Sequence, residues 1–448
     1  MSIYDAIRER VQHPDALAIT SAGQQYTFNE LFAAVAATRN WLRTHHATGV
    51  PIIARIRDPF ATAVVALASD AAGVPVIHND AATLETPFAT LFTDGPPTPA
   101  CTDSIGIAGL FVHRRDATLT LPDRSQTFMT SGSTGTPVGI VREADAVVAD
   151  AERVAQFLEY GSDTHTVVIA PLFHAYGFNY GLIATLLAGV PARYLPPQSL
   201  ASSIIRAAAG ARILIGLPFH HELLGTSYSK LPSLTKVVSA GAPLASGVAA
   251  AITAIESLTL YNCYGSSEVG AVTLSPVTGE EAHGDVGVPL PGISVRTDGD
   301  ELLVRSTSAA WGRLRAGEIN PLPMDSGWYR TGDIAQLSEG NRVVLAGRLD
   351  SVINVAGKKV HPMEIEQVLS AHPAVVAVHV GAEKDTSRGQ VPIARLILRE
   401  AVEIPELLRW CSTRLAPHQQ PRRIDIVDEL PRSATGKITT AFAQKEIR

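Results

Sequence analysis

Between two short strand-like runs, 126–129 and 140–141, the chain reads Thr130-Ser-Gly-Ser-Thr-Gly-Thr-Pro-Val-Gly139. Glycine lets a backbone fold tightly enough for successive N–H groups to converge on one anion, and Ser and Thr hydroxyls add donors. The run therefore has the chemistry to cradle a triphosphate. The same composition also builds ordinary polar hairpins, and the run is not a Walker A loop, because no Gly-Lys-Ser/Thr follows at the required spacing. Gly436-Lys437-Ile438 fails that template too. Other side chains with reactive or charged groups stand in short glycine-bearing contexts: His174 before Ala-Tyr176-Gly177, Glu268 closing Tyr264-Gly-Ser-Ser-Glu268, Asp333 closing Trp328-Tyr-Arg-Thr-Gly-Asp333, and Arg348. Taken singly, each has a bland reading: a solvated turn glutamate, a surface ion pair, a satisfied core histidine, an exposed lysine near the chain end.

The elements that must hold these residues alternate in type. Thr27 and Glu30 have the S/T-x-x-E spacing of a capping box, so a helix should start there and run to His45. A strand at 50–56, a helix at 59–72 and a strand at 74–77 follow, the alternation of α/β layers around a mainly parallel sheet. Brief apolar strands recur at 167–170, 213–215 and 237–239, between helical segments at 181–187 and 246–255. After Gly284, Gly and Pro rise and the strands shorten (294–296, 302–305, 342–345), which predicts a β-rich subdomain. A helix at 362–369 and a strand at 375–380 then read as a small α+β domain. The expectation is α/β: a large N-terminal domain, 1–349, of layered α/β subdomains plus the β-rich one, and a small mobile C-terminal domain, 350–448.

Composition narrows the class. The chain has 448 residues, 46% of them hydrophobic and 18% charged, and a net charge of −6. A globular protein follows, with no global positive field for nucleic acid or an anionic membrane. Three scattered cysteines, Cys101, Cys263 and Cys411, make neither a disulfide framework nor a cysteine zinc site. The N-terminus lacks a secretory h-region, and the apolar stretch 61–77 is broken by Asp70, short of the roughly 18 to 20 residues that span a bilayer. A soluble cytoplasmic protein without membrane insertion is expected.

Taken in order, the motifs resemble those of the adenylate-forming superfamily of acyl-CoA synthetases, luciferases and peptide-synthetase adenylation domains. The 130–139 run resembles its phosphate loop, Pro171-Leu-Phe-His174-Ala-Tyr176-Gly177 its acid-pocket motif, Ser239-Ala-Gly-Ala-Pro-Leu244 its adenine turn, and Tyr264-Gly-Ser-Ser-Glu268 its Tyr-Gly-x-Thr-Glu motif. Downstream, Trp328-Tyr-Arg-Thr-Gly-Asp333, Gly347-Arg348-Leu-Asp350, Gly357 through Glu366, and Leu430-Pro-Arg-Ser-Ala-Thr-Gly-Lys437 complete the set. The resemblance implies two half-reactions, in which a carboxylate attacks the α-phosphate of ATP and a thiol then captures the acyl group. It implies that Thr130, Ser131, Gly132, Ser133, Thr134, Gly135, Ser266 and Ser267 face the phosphates, while Glu268 holds Mg2+. Gly241, Ala242, Pro243, Tyr264 and Gly265 would frame adenine, with Asp333 at the ribose and Arg348 at the ribose or the phosphates. It makes Lys437 the adenylation catalyst, Asp350 the hinge and Gly357 part of the thiol channel. His174, with Lys437 and Glu268 also a catalytic residue on this resemblance, would line the acid pocket with Tyr176, Gly241, Cys263 and Gly265, and Tyr176 two residues after the motif histidine resembles the arrangement in aryl-acid ligases.

Four departures bear on function. Val138 stands where the phosphate loop usually has Lys, Ser267 replaces Thr, Thr440 replaces an Arg, and the late Tyr-Lys-x-Pro reads His418-Gln419-Gln420-Pro421. Two lost cations near the C-terminus would weaken a site for the phosphates of CoA. The reading is an ATP-dependent ligase of a small, hydroxybenzoate-like acid, passing it to the phosphopantetheine thiol of an acyl carrier protein. An aryl- or medium-chain acyl-CoA synthetase is the alternative, and a catalytically silent nucleotide-binding module, motivated by Val138, is the alternative of another class. Nothing favours luciferase-like oxidation.

Overall fold

The computed structural model describes residues 1–47, 49–79, 90–94, 103–104, 109–114, 119–131, 137–161, 163–242, 244, 246–279 and 284–430. Local chemistry sets several boundaries. The helix Phe28–His45 opens on the expected capping box, with Thr27 accepting from the Glu30 N–H and Glu30 from the Thr27 N–H. Pro59–Ala72 opens with Asp58 as cap and proline in the first turn, and it stops at Gly73, whose φ of 80° few other residues adopt. Nearly all of this helix is buried.

Two units divide the chain: Met1–Gly279 with Leu290–Ile293 and Arg305–Tyr329, and Glu280–Pro289 with Ser294–Val304 and Arg330–Arg448. The first unit carries two sheets. One runs, in order, Gly270–Pro276, Thr259–Ser266, Lys236–Ala240, Ile213–Gly216, Thr166–Val168, Ala192–Tyr194, Leu17–Ser21, Gln24–Thr27. Its interior strands are parallel and its two edges antiparallel. A core of Val167, Ile169, Ile204, Leu214, Val237 and Leu260 packs one face. The other sheet runs Glu318–Pro321, Gly312–Arg315, Pro137–Arg142, Gln126–Ser131, Val76–His78, Ile52–Arg55, Thr90–Thr93, Phe111–Arg114, Asp103–Ser104.

In the second unit, Arg342–Arg348 pairs antiparallel with both Asp285–Gly287 and residues 333–338. A further sheet places Gly389–Leu398 between Val375–Asp385 and the short strands Ile353–Val355 and Arg423–Ile426. Helices Pro362–Ser370 and Ile404–Ser412 close its core of Ile353, Val360, Ile365, Leu396, Leu407 and Cys411. The architecture is the expected α/β mixture, with a larger N-terminal and a smaller C-terminal part.

Several elements end elsewhere than expected, and two of the differences have a clear physical reason. The helix expected at 181–187 starts earlier, as a π-helix over Gly177–Ile183 that continues into Ala184–Leu187. Its wide turn leaves the Asn179 carbonyl to accept from the Ala184 N–H while the Asn179 amide reaches Asp150. The strand expected at 375–380 continues to Asp385 because Gly389–Leu398 pairs with it along its whole length.

Candidate functional site

Thr130 and Ser131 belong to the outgoing strand of a hairpin, paired with Val138 and Pro137 of the return strand. The Thr130 hydroxyl donates to the Val138 carbonyl at 3.0 Å, which ties the base of the loop. Gly132, Ser133, Thr134 and Gly135 lie outside the described residues, as do Pro243 and Lys437.

The parallel sheet gathers the other motifs of the first unit. In an open parallel sheet, ligands sit beyond the carboxyl ends of the strands. The acid motif 171–177 follows Thr166–Val168, the adenine turn follows Lys236–Ala240, and Tyr264 through Glu268 ends Thr259–Ser266, so all three lie at that edge. Tyr176 joins them, its hydroxyl donating to the carbonyls of Gly216 at 3.0 Å and Val238 at 3.1 Å. Burial, with Cys263 and Tyr160 nearby, raises the Tyr176 pKa well above its ordinary value. The phenol stays neutral and its one donor is committed to the sheet, so it presents ring rather than hydroxyl. Cys263, paired with Ala240, is buried, and burial pushes its thiol pKa up. Gly241 turns the chain at φ 92°. Gly265 allows a close approach, since a Cβ there would lie 2.2 Å from the Gly270 carbonyl oxygen. His174, half-buried, packs its ring on Phe173.

Beneath this edge lies a buried ionic hub with no motif to announce it. Asp150, on the helix Ala144–Phe157, accepts from Arg142 Nη1 at 3.1 Å, Asn179 Nδ2 at 2.7 Å and the Ala271 N–H at 3.0 Å. These partners come from the return strand of the loop hairpin, the π-helix after the acid motif, and the strand after Glu268. Gly270 seals the hub, because a Cβ there would lie 2.4 Å from the Asp150 carboxylate. The available signal was an acid amid Val147, Val148 and Ala151 on an apolar helix face.

Glu268 sits at the turn between Thr259–Ser266 and Gly270–Pro276, beside Ser266 and Ser267. Its backbone carbonyl accepts from the Ala310 N–H, and its Oε1 accepts from Arg313 Nη2 at 2.9 Å. The same nitrogen donates to the Tyr329 hydroxyl at 2.8 Å. Burial, then the charge of Glu268, raises the Tyr329 pKa. Arg313 lies on Gly312–Arg315, which pairs with the return strand of the loop hairpin. Carboxylate and loop hairpin are thus joined through one guanidinium. No group of three or more His, Cys, Asp or Glu is placed to hold a metal among the described residues. The single carboxylate fits Mg2+, which keeps most of its waters and is held by one or two carboxylates together with substrate phosphates.

Asp333, Arg348 and Asp350 belong to the second unit. Asp333 and Arg348 face each other across paired strands, with Arg348 Nη1 donating to Asp333 at 2.8 Å and Nε to Asp350 at 3.0 Å. Gly357, at φ 85°, turns the chain between Ile353–Val355 and Lys358–Val360. Arg388, Arg409, His418 and Arg422 line a cleft of about 510 Å³ in this unit.

The AMP-binding enzyme family model matches residues 61–307, and the model of the AMP-binding enzyme C-terminal domain matches residues 364–437. A 2-succinylbenzoate–CoA ligase of Escherichia coli is 32% identical over 302 residues, 66% of this chain and 63% of that protein. A probable CoA ligase of Humulus lupulus is 27% identical over 69% of this chain and 63% of its own length. A 4-chlorobenzoate–CoA ligase of Arthrobacter is 29% identical over 71% and 65%. The chain thus spans less than two thirds of the length of these relatives. ATP-bound MatB from Rhodopseudomonas palustris shares the fold, with a TM-score of 0.84 at 23% identity over 98% of this chain and 97% of that one.

Proposed function

This chain belongs to the AMP-binding, adenylate-forming enzymes, and on that premise we propose that it is an ATP-dependent acid–thiol ligase acting on a small aromatic carboxylic acid. The observation that carries the reading is the join between Glu268 and the loop hairpin through Arg313, at the sheet edge that also holds the acid motif and the adenine turn. A phosphate-binding loop beside a carboxylate suited to Mg2+ is what α-phosphoryl transfer requires.

In the first half-reaction a carboxylate oxygen of the acid bonds to the α-phosphorus and pyrophosphate leaves. In the second, a thiolate attacks the acyl carbon and AMP leaves. Thr130, Ser131, the loop and Ser267 donate to the phosphates; Mg2+, held by Glu268, supplies charge neutralisation when bound. Gly241, Ala242 and Pro243 frame adenine with Tyr264 against it. Asp333 accepts the ribose hydroxyls and Arg348 orients it. Lys437 bridges acid and α-phosphate, Asp350 is the hinge of a mobile 350–448 domain, and Gly357 borders the thiol channel. His174, Cys263, Gly265 and the Tyr176 ring line the acid pocket. A wall whose phenol donates back into the sheet and presents its ring suits a flat apolar ring, in keeping with relatives named for succinylbenzoate and chlorobenzoate.

Coenzyme A is the favoured acceptor. The departures at Gln419 and Thr440 remove two cations, but Arg388, Arg409 and Arg422 around one cleft offer three to a phosphate-bearing thiol. The relatives' names agree. A carrier-protein pantetheine is the second reading, favoured by those same departures.

The test is pyrophosphate release with ATP and Mg2+ across benzoic, hydroxybenzoic, cinnamic and fatty acids, each with CoA and with a holo carrier protein. An aryl-selective signal accelerated by CoA is expected. Acceleration by the carrier protein alone would reverse the acceptor, and ATP binding without release for any acid would favour a silent nucleotide-binding module.

A further inference from the structure

The position that usually brings a lysine to the nucleotide's outer phosphates is Val138, and a valine has no charge to offer. A neighbouring strand carries a cation on the same face. Arg313 pairs with Ile140, and Leu314 with Gly139, across antiparallel strands. Side chains two apart on a strand share a face, so Val138 and Ile140 lie on the face that carries Arg313. Diagonal neighbours in such a pair stand about 7–8 Å apart, within the span of an arginine.

The guanidinium is held but not used up. Nη2 alone serves both Glu268 Oε1 and the Tyr329 hydroxyl, while Nε and Nη1 have no hydrogen-bond partner among the described residues. About a third of the side chain remains exposed. Arginine presents its donors as a planar fork that matches two phosphate oxygens at once.

We propose that Arg313 is a nucleotide-binding residue that supplies, from the strand beside the loop hairpin, the positive charge to the β- and γ-phosphates that Val138 lacks. The inference rests on the nucleotide reading above and assigns one residue within it. Without nucleotide, Glu268 is the counter-ion of the guanidinium; with nucleotide, the unoccupied donors face phosphate oxygens.

The test compares ATP with AMP, which has no β- or γ-phosphate, by calorimetric titration of the full chain without divalent cation, so that no loss can arise through the hold of Glu268 on Mg2+. Arg313→Met should weaken ATP binding about tenfold, the worth of a charge-assisted contact, and leave AMP binding within about twofold. Adding Val138→Lys to Arg313→Met should restore most of the ATP affinity. Equal weakening of ATP and AMP, or no restoration by the lysine, overturns the proposal, because Arg313 would then merely order the Glu268 turn. Should Arg313→Met fail to fold, Arg313→Gln, which removes the charge and keeps a polar end, carries the test. A fall in the ATP-to-AMP affinity ratio is expected, and an unchanged ratio overturns the assignment. If the unaltered chain binds neither nucleotide, the nucleotide reading itself falls; if it binds both and the variants change nothing, only the role of Arg313 falls.

Discussion

Two arginine–carboxylate clusters in this molecule share their chemistry and differ in everything that surrounds it. Arg142 and Asp150 have no solvent exposure, and the carboxylate is surrounded by donors from three elements. Arg348 is half exposed between Asp333 and Asp350. A buried pair that loses one member leaves a charge in a medium that cannot solvate it, whereas water replaces the partner of an exposed pair. The first cluster is therefore part of the frame, and the second is open to water. The Glu268–Arg313 pair lies between these extremes, anchored on one side and accessible on the other.

The largest effect should come from the hub. Asp150→Ala should cost about 3–5 kcal/mol, because Arg142 stays buried without its counter-charge. Urea denaturation of the full chain measures this, and a loss below about 1 kcal/mol would put the hub on a par with a surface pair.

Acid should act next, and also through the buried interior of the first unit. Burial lowers His78 to about 4 and His220 to about 4; burial, then the neighbouring His220, lowers His221 to about 3, all from 6.5. Between pH 6.5 and those values the unfolded chain binds more protons than the native one, so stability is full above pH 6.5 and is lost as pH falls through the native values. Asp70 has the opposite sign. Burial raises it to about 7 from 3.8, so its contribution is full below 3.8 and is lost as pH rises through about 7. Melting temperature should peak near pH 6.5. His221→Gln should flatten the acid limb and Asp70→Asn the limb above the peak; a profile unchanged in both variants would show that these groups do not set it.

The smallest change in stability should come from the exposed cluster. Asp333→Asn and Arg348→Met should each shift stability by less than about 1 kcal/mol while lowering pyrophosphate release about tenfold or more. A loss of stability matching that of Asp150→Ala would erase the distinction between the clusters.

Much of this was legible in the sequence, for a local reason. The Thr27–Glu30 box, the helix Pro59–Ala72 and the order of the motifs all rest on residues a few positions apart, where spacing alone brings side chains together. What spacing could not show is where pairing ends. Thr130 and Ser131 are strand rather than loop because Pro137 and Val138 lie opposite them. The strand Val375–Asp385 outruns its apolar start because its partner continues. Tyr176 was legible as a motif residue, but only the carbonyls of Gly216 and Val238 show which way its hydroxyl is committed.

The amino-acid sequence by itself determined the α/β class, the family and the catalogue of motif residues, since each depends on residue type and short spacing. Tertiary structure decided which charges are enclosed and which stay accessible. Arg313 meets Glu268 across 45 positions, and Asp150 meets Ala271 across 121. Such meetings are set by strand register and by the packing of one sheet against another, and whether a charge there is costly or available depends on how much water that packing leaves beside it.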